Sequence, residues 1–301
     1  MVRSRAVVVA ALALAGGCNQ IFGLDPADRT DAAVDAPDPP TTDGGLGPWN
    51  TPVPIAAFAT PHHEEDPHVS GDGLELYASF LDAASATRFD LVASRRAATT
   101  EPWPSPSPVV EVRDAAHETT PRLGEGGRLL LFATDRPGGA GGNDIWYARR
   151  DASGAEWSLP AVVEDPQLNS TANDRTASPC LDDSRFVFAS DRIGDQADLY
   201  ELGGGNLIRI EVASSDTFLE SSPFVTEDCL TVYFSSNQTG TRDLYVMTRP
   251  SIDQPFETPA RIDDLSTTTA DETDPWVSAD GRHLVFASDR AGTFDLYEAS
   301  R

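Results

Sequence analysis

Five segments of this chain carry apolar residues on both alternating faces: LELYASF from Leu74, RLLLFATD from Arg128, RFVFASD from Arg185, LTVYFSSN from Leu230 and RHLVFASD from Arg282. Period-two runs of this length, rich in β-branched and aromatic residues, predict strands of sheets covered on both sides. Each run follows a proline-led stretch such as PHVSGDG or PWVSADG, anchored at Pro67, Pro121, Pro179, Pro223 and Pro275. We read that stretch as a first strand with proline at its start, where no ladder hydrogen bond is lost, closed by a turn such as Asp72-Gly73 or Asp280-Gly281. A loop carrying Asp-Arg or its replacement then leads to a third strand, which opens on Asp90, Asp144, Asp198, Asp243 or Asp295.

A fourth, weaker strand is announced by an aromatic-x-x-Pro signal at Trp103, Trp157 and Phe256. Proline suits it only to a sheet edge. Five copies of a four-strand unit predict an all-β chain: a five-bladed β-propeller of four-stranded antiparallel blades. The chain ends at Arg301, after the third strand of the fifth copy, and the same aromatic signal stands alone at Trp49. The N-terminal segment is therefore expected to pair with the C-terminal blade and close the ring. Blade three lacks the aromatic-x-x-Pro signal.

The pattern P-x-x-S-x-D-G, then F-A-S-D-R, then D-L-Y resembles the TolB-type β-propeller repeat, over roughly residues 47 to 301. The segment FATDRPGGAGGNDIWYARR is similar to versions found in bacterial envelope proteins. The resemblance implies fold more than function, because propellers host binders and enzymes alike.

MVRSR followed by AVVVAALALA and AGGC ending at Cys18 has the layout of an export signal, too short to span a bilayer. The small residues before Cys18 are similar to a lipoprotein processing site, so the expected organisation is a signal over 1–17, a lipidated Cys18 opening a disordered acidic Pro/Ala/Asp-rich tether over 18–46, and the propeller over 47–301. Several acyl chains give stable anchoring. Asn19 after the cysteine suggests the outer membrane, facing the periplasm or the cell surface. Residues 25–48 hold too few large apolar side chains to order themselves.

The formal net charge is −26 and every one of the 22 basic residues is arginine. Nucleic acid and anionic lipid headgroups are poor partners for such a surface. Membrane contact is expected through the lipid alone, and a monomer is expected. Cys180 and Cys229 are expected at opposite ends of neighbouring first strands, roughly 15 Å apart at the rise of a strand, and hence as free thiols.

Two sets of loops share one face. The first carries Glu64, Glu118, Glu220 and Glu272, each three residues before a repeat proline, with Thr176 in blade three; the second carries Arg136, Arg192 and Arg290 behind Asp135, Asp191 and Asp289. Paired, these charges fix loop positions. Unpaired, together with Asp66, they form an acidic axial mouth able to hold a polar ligand. His63 and His117 take matching places in blades one and two and are weak candidates for a metal, at a spacing that fits no established motif. The Asp that opens each third strand recurs in all five copies, and such symmetry points to a structural task, such as bonding loop amides. No nucleophile elbow, zinc-protease helix or phosphate loop is present; GGAGGN at 138–143 lacks the lysine and helix of the last. No cofactor is implied.

The leading expectation is a non-enzymatic scaffold that binds an envelope protein or glycan through its acidic loop face. A furanosidase-like glycoside hydrolase using Asp66, Glu118 and Glu220 is the alternative, because five-bladed furanosidases set three carboxylates around this mouth and start a blade on a similar Asp-Pro. A lectin is a third.

Overall fold

The computed structural model describes residues 46–81, 88–181 and 183–301. The export signal, Cys18 and the tether through residue 45 lie outside them. The described chain forms five four-stranded antiparallel sheets. Blade one holds β2 (Glu64–Val69), β3 (Glu75–Leu81), β4 (Phe89–Arg95) and β5 (Ser107–Pro108). Blade two holds β6 (Glu118–Gly124), β7 (Leu129–Thr134), β8 (Asp144–Arg149) and β9 (Ala161–Val162). Blade three runs through β10 (Asp174–Cys180), β11 (Arg185–Ser190), β12 (Asp198–Gly203) and β13 (Asn206–Arg209). Blade four follows with β14 (Glu220–Val225), β15 (Thr231–Ser236), β16 (Asp243–Thr248) and β17 (Ala260–Arg261). Blade five has β18 (Glu272–Val277), β19 (His283–Ser288) and β20 (Asp295–Ser300), and its outer strand is β1 (Val53–Pro54) from the other end of the chain.

β1 lies antiparallel to β20 with Val53 opposite Glu298 and Pro54 opposite Tyr297. Backbone bonds from Asn50 to the Ser300 carbonyl and from Ile55 to the Leu296 carbonyl, both 2.8 Å, extend the pairing. The last guanidinium, Arg301, sits 4.3 Å from the ring centre of Trp49. That stack is one of four of its kind among the described residues. Arg96 covers Trp103, Arg150 covers Trp157 and Arg249 covers Phe256 at 4.0 to 4.2 Å. In each case the arginine Nε also donates to the carbonyl of a turn residue: Gly73, Gly127, Cys229 or Gly281. The aromatic of the sequence signal is thus the seat for an arginine that ends the third strand, a cation over a π face. Two of these arginines also tie blades together: Arg150 pairs with Glu75, and both terminal nitrogens of Arg249 reach Glu201 at 2.9 Å.

The repeat prolines do not start their strands. Each first strand begins at the acidic residue and bulges three positions in, where Asp66, Thr120, Thr176, Ser222 and Asp274 adopt φ between 53° and 56°. Left-handed backbone costs a non-glycine residue about 1–3 kcal/mol, and the bulge re-aims the rest of the strand. This register corrects the alignment of blade three. Ala177, not Pro179, stands at the place of Pro67, so Asp174 rather than Thr176 matches the rim glutamates, and Thr176 takes the bulge.

The same two-residue shift overturns the free thiols. Cys180 ends β10 at the turn side of the blade, where Cys229 occupies the glycine place of the next turn with φ 59°. The two form a disulfide with Cα atoms 5.4 Å apart. A backbone bond from Leu181 to the Glu227 carbonyl, 2.8 Å, runs beside it. Reduction should lower the unfolding free energy by about 2–4 kcal/mol, the usual worth of a bridge across a long loop. Urea unfolding with and without reductant measures it, and coincident curves would show the bridge to be idle.

Candidate functional site

On the face opposite those turns, the sequence S/T-D-R proves to be a loop clamp. Asp135, Asp191 and Asp289 accept the backbone N–H of His117, Asn173 and Asp271 at 2.7 to 2.8 Å. Asn237 does the same for Leu219 at 2.9 Å. The arginine that follows turns inward. Arg136 bonds Glu118 at 3.0 Å and the Val112 carbonyl; Arg192 bonds Asp174 and the Leu168 carbonyl; Arg290 bonds Glu272 at 3.1 Å and the Leu265 carbonyl. Each guanidinium lies near two aromatic rings of its own blade: Phe132 and Trp146, Phe188 and Tyr200, or Phe286 and Tyr297.

Among the described residues, blades one and four have no such arginine. Glu64 is held by the Thr60 hydroxyl. Glu220 accepts from the Ser236 hydroxyl and the Ser215 N–H, each at 3.1 Å. All five rim acids are buried; Glu64, Glu118, Asp174 and Glu272 show no exposed surface and Glu220 only 4%.

Asp66 lies elsewhere, at the bulge nearest the axis. Its carboxylate accepts from the Ser79 hydroxyl at 2.7 Å and from the Thr120 N–H at 3.2 Å, and the Thr120 hydroxyl in turn accepts the Thr176 N–H. Asp274 and Arg122 are the charges that act on it. One step further along the strands, the axis is filled by His68, Arg122, Ser178, Phe224 and Trp276, all buried. The His68 ring meets Phe224 at 6.3 Å although blade five lies between their blades, and Phe224 meets Trp276 at 6.2 Å. Arg122 donates to the Pro121 carbonyl at 2.9 Å. The sequence carries a trace of this plug, a charged residue after Pro121 where the other repeats place an aromatic or a small residue, but only the bulge shows that these side chains converge.

The sequence-proposed carboxyls each have their own immediate partners. Arg136, Asp114 and Asp90 are the charges acting on Glu118, and Asp198 and Arg209 those acting on Glu220. His63 lies 3.8 Å from Glu65 and beside the Phe294 ring, whereas His117 accepts the Phe89 N–H. Among the described residues no group of three His, Cys, Asp or Glu side chains is placed to hold a metal ion. Exposed acid is found instead at Asp114 and Asp135, which with Ala115, Ala116 and Pro137 line a shallow recess of about 400 Å³. Sequence reasoning passed over Asp114, which carries no repeat signature.

The third-strand aspartates also have local partners. Asp144 accepts the Gly141 N–H at 3.1 Å, and Asp198 binds Arg209 through both oxygens and accepts the Ser215 N–H.

Five sheets around a filled axis, with a borrowed outer strand, can be compared with solved propellers. A putative TolB from Agrobacterium tumefaciens matches 83% of this chain and 81% of its own length, with a TM-score of 0.50 at 18% identity. The chain has the TolB-type propeller fold. An α-L-arabinofuranosidase from Podospora anserina, solved with cellotriose, matches 85% of this chain and 96% of its own at a TM-score of 0.57 and 12% identity. A thermostable family-43 glycoside hydrolase matches 82% and 91% at 0.55 and 12%. At such identities the likeness is one of fold alone. No protein-family model and no curated protein sequence matches the chain. No helix among the described residues is long and apolar enough to cross a membrane.

Burial raises several of these carboxyls. It pushes Glu64, Asp66 and Glu220 up to about 7, and Glu118 up to about 8 although Arg136 draws it back. Glu65 rises to about 8 through burial and the neighbouring Asp274 and Asp66. In the unfolded chain these groups ionise near their ordinary values, so their contribution is whole below about pH 4.5 and is lost as pH rises through 7 to 8. The melting temperature should accordingly fall between pH 5 and pH 9. A rise over that interval in a thermal scan would contradict the burial of these carboxyls.

Proposed function

We propose that this chain is a non-enzymatic binding scaffold of the bacterial cell envelope. In this reading Cys18 carries the lipid, the acidic tether spaces the propeller from an outer membrane, and the loop face with its exposed acid meets an envelope protein or glycan. The filled axis carries the reading. Side chains at two successive levels, Asp66 and Asp274 and then Phe224 and Trp276, are buried, and Phe224 meets Trp276, which supports a centre occupied by the chain's own side chains. The residues that recur from blade to blade are occupied in clamping loops.

The alternative, a furanosidase-like glycoside hydrolase acting through Asp66, Glu118 and Glu220, draws on carboxyls held up to about 7 and about 8, the protonation that a general acid needs. It requires two carboxyls flanking one glycosidic bond at about 5–9.5 Å. Here each of the three is buried and engaged within its own surroundings.

Incubation with arabinan and xylan oligosaccharides should release no sugar. Release that disappears in Asp66→Asn would establish the hydrolase instead. A photo-crosslinker at Asp114 should trap an envelope component that the same group at Arg128, on the opposite face, does not. Equal trapping from both positions would count against the loop face. Cys18→Ser should move the protein from the membrane to the soluble fraction, and retention in the membrane would refute the lipid anchor.

A further inference from the structure

Four blades end in blunted edges. β1, β5, β9 and β17 have two residues each, and Pro52, Pro54, Pro106, Pro108, Pro160 and Pro259 stand in or beside them. Proline lacks the N–H that a neighbouring strand would use, so such edges do not template pairing. Blade three is the exception. β13 has four residues, is reached through the Gly204-Gly205 turn, and no proline occurs from Gly203 to Ala213.

The register settles which groups it offers. Gly203 faces Asn206, Leu202 faces Leu207, Glu201 faces Ile208 and Tyr200 faces Arg209, and the next N–H, of Ile210, donates to the Leu199 carbonyl at 2.8 Å. Hydrogen-bonded and non-bonded pairs alternate along an antiparallel ladder. Asn206, Ile208 and Ile210 therefore bond towards β12, and the N–H and C=O groups of Leu207 and Arg209 point outward. Ile208 is 57% exposed on this strand, with Val212 and Phe218 exposed in the segment that follows.

Acid flanks the far end of the edge. Arg209 is already held by Asp198, and it also reaches Glu211 and Asp216, each at 3.2 Å, whose side chains are 72% and 90% exposed. Three carboxylates around one guanidinium leave two negative charges uncompensated.

We propose that the β13 edge of blade three docks an extended segment of a partner protein, one that alternates β-branched apolar residues with lysine or arginine. Such a segment adds a fifth strand to the blade. Main-chain bonds to Leu207 and Arg209 supply affinity, and the side chains that meet Ile208, Glu211 and Asp216 supply selectivity. A second copy of this chain is the poorer occupant, since a net charge of −26 opposes self-association. The edge is distinct from the Asp114 recess, so it stands or falls separately from the loop-face reading.

The test uses the full chain and labelled ten-residue peptides: one alternating valine with lysine, one alternating valine with glutamate, and the first with proline at its centre. Fluorescence anisotropy should detect the valine–lysine peptide alone, and hydrogen exchange should show the Leu207 and Arg209 amides protected by it. Affinity should fall at least tenfold in Ile208→Lys and in the Glu211→Gln, Asp216→Asn pair, with the melting temperature of both unchanged. Absence of binding, unprotected Leu207 and Arg209 amides, equal affinity in the variants, or equal binding of the proline peptide would overturn the proposal. So would a dimer, seen by ultracentrifugation, that Ile208→Lys abolishes, because it would assign the edge to a second copy.

Discussion

Each second strand is apolar on both faces, so every sheet needs a neighbour on either side, and only a ring supplies two neighbours to all five. The clusters of buried side chains follow from that constraint. One joins Trp49 and Ile55 at the start of the chain to Leu76, Phe224, Leu244, Phe286 and Leu296 in blades one, four and five. Others fill the spaces between blades two and three and between three and four. A linear stack would leave two such faces wet, at about 25 cal/mol for each Å² of apolar surface. The borrowed strand β1 is what makes the ring a single closed body, and Arg301 on Trp49 fastens its last joint.

Repetition carries meaning of a particular kind here. A device that recurs in most blades serves what the blades have in common, their attachment to loops and to one another. The clamp made by Asp135-Arg136 and its equivalents is such a device, as is the guanidinium over the aromatic ring. Features that break the symmetry are better guides to what distinguishes this chain: the charge of Arg122 on the axis, the recess at Asp114, and the proline-free outer strand of blade three.

Blade number, strand order and the origin of the closing strand were legible because each is written in runs of several residues repeated five times. The rim pairing of Glu118 with Arg136 and Glu272 with Arg290 was legible too, as one of two open readings. The register within the first strand was not. It depends on a bulge at non-glycine residues such as Thr120 and Ser222, which carry no local signal for left-handed backbone. Pro179, two residues out of place in blade three, then misdirected the alignment, hid Asp174 from the rim and set Cys180 at the wrong end of its strand. The filling of the axis was hidden by the same bulge, since the residues after it decide which side chains converge.

Blade three has no arginine seated on an aromatic at the end of its third strand, and the seam with blade four carries a disulfide beside the pair that Arg249 makes with Glu201. Unlike the stacked cations, the disulfide depends on the surroundings in which the chain finds itself, because thiols stay reduced in some compartments and oxidise in others. Where glutathione prevails, the seam rests on that ion pair and on the apolar side chains shared by the two blades; in an oxidising space it gains a covalent fastening. The bond thus ties the last fastening of this wheel to the redox state of whatever compartment holds it.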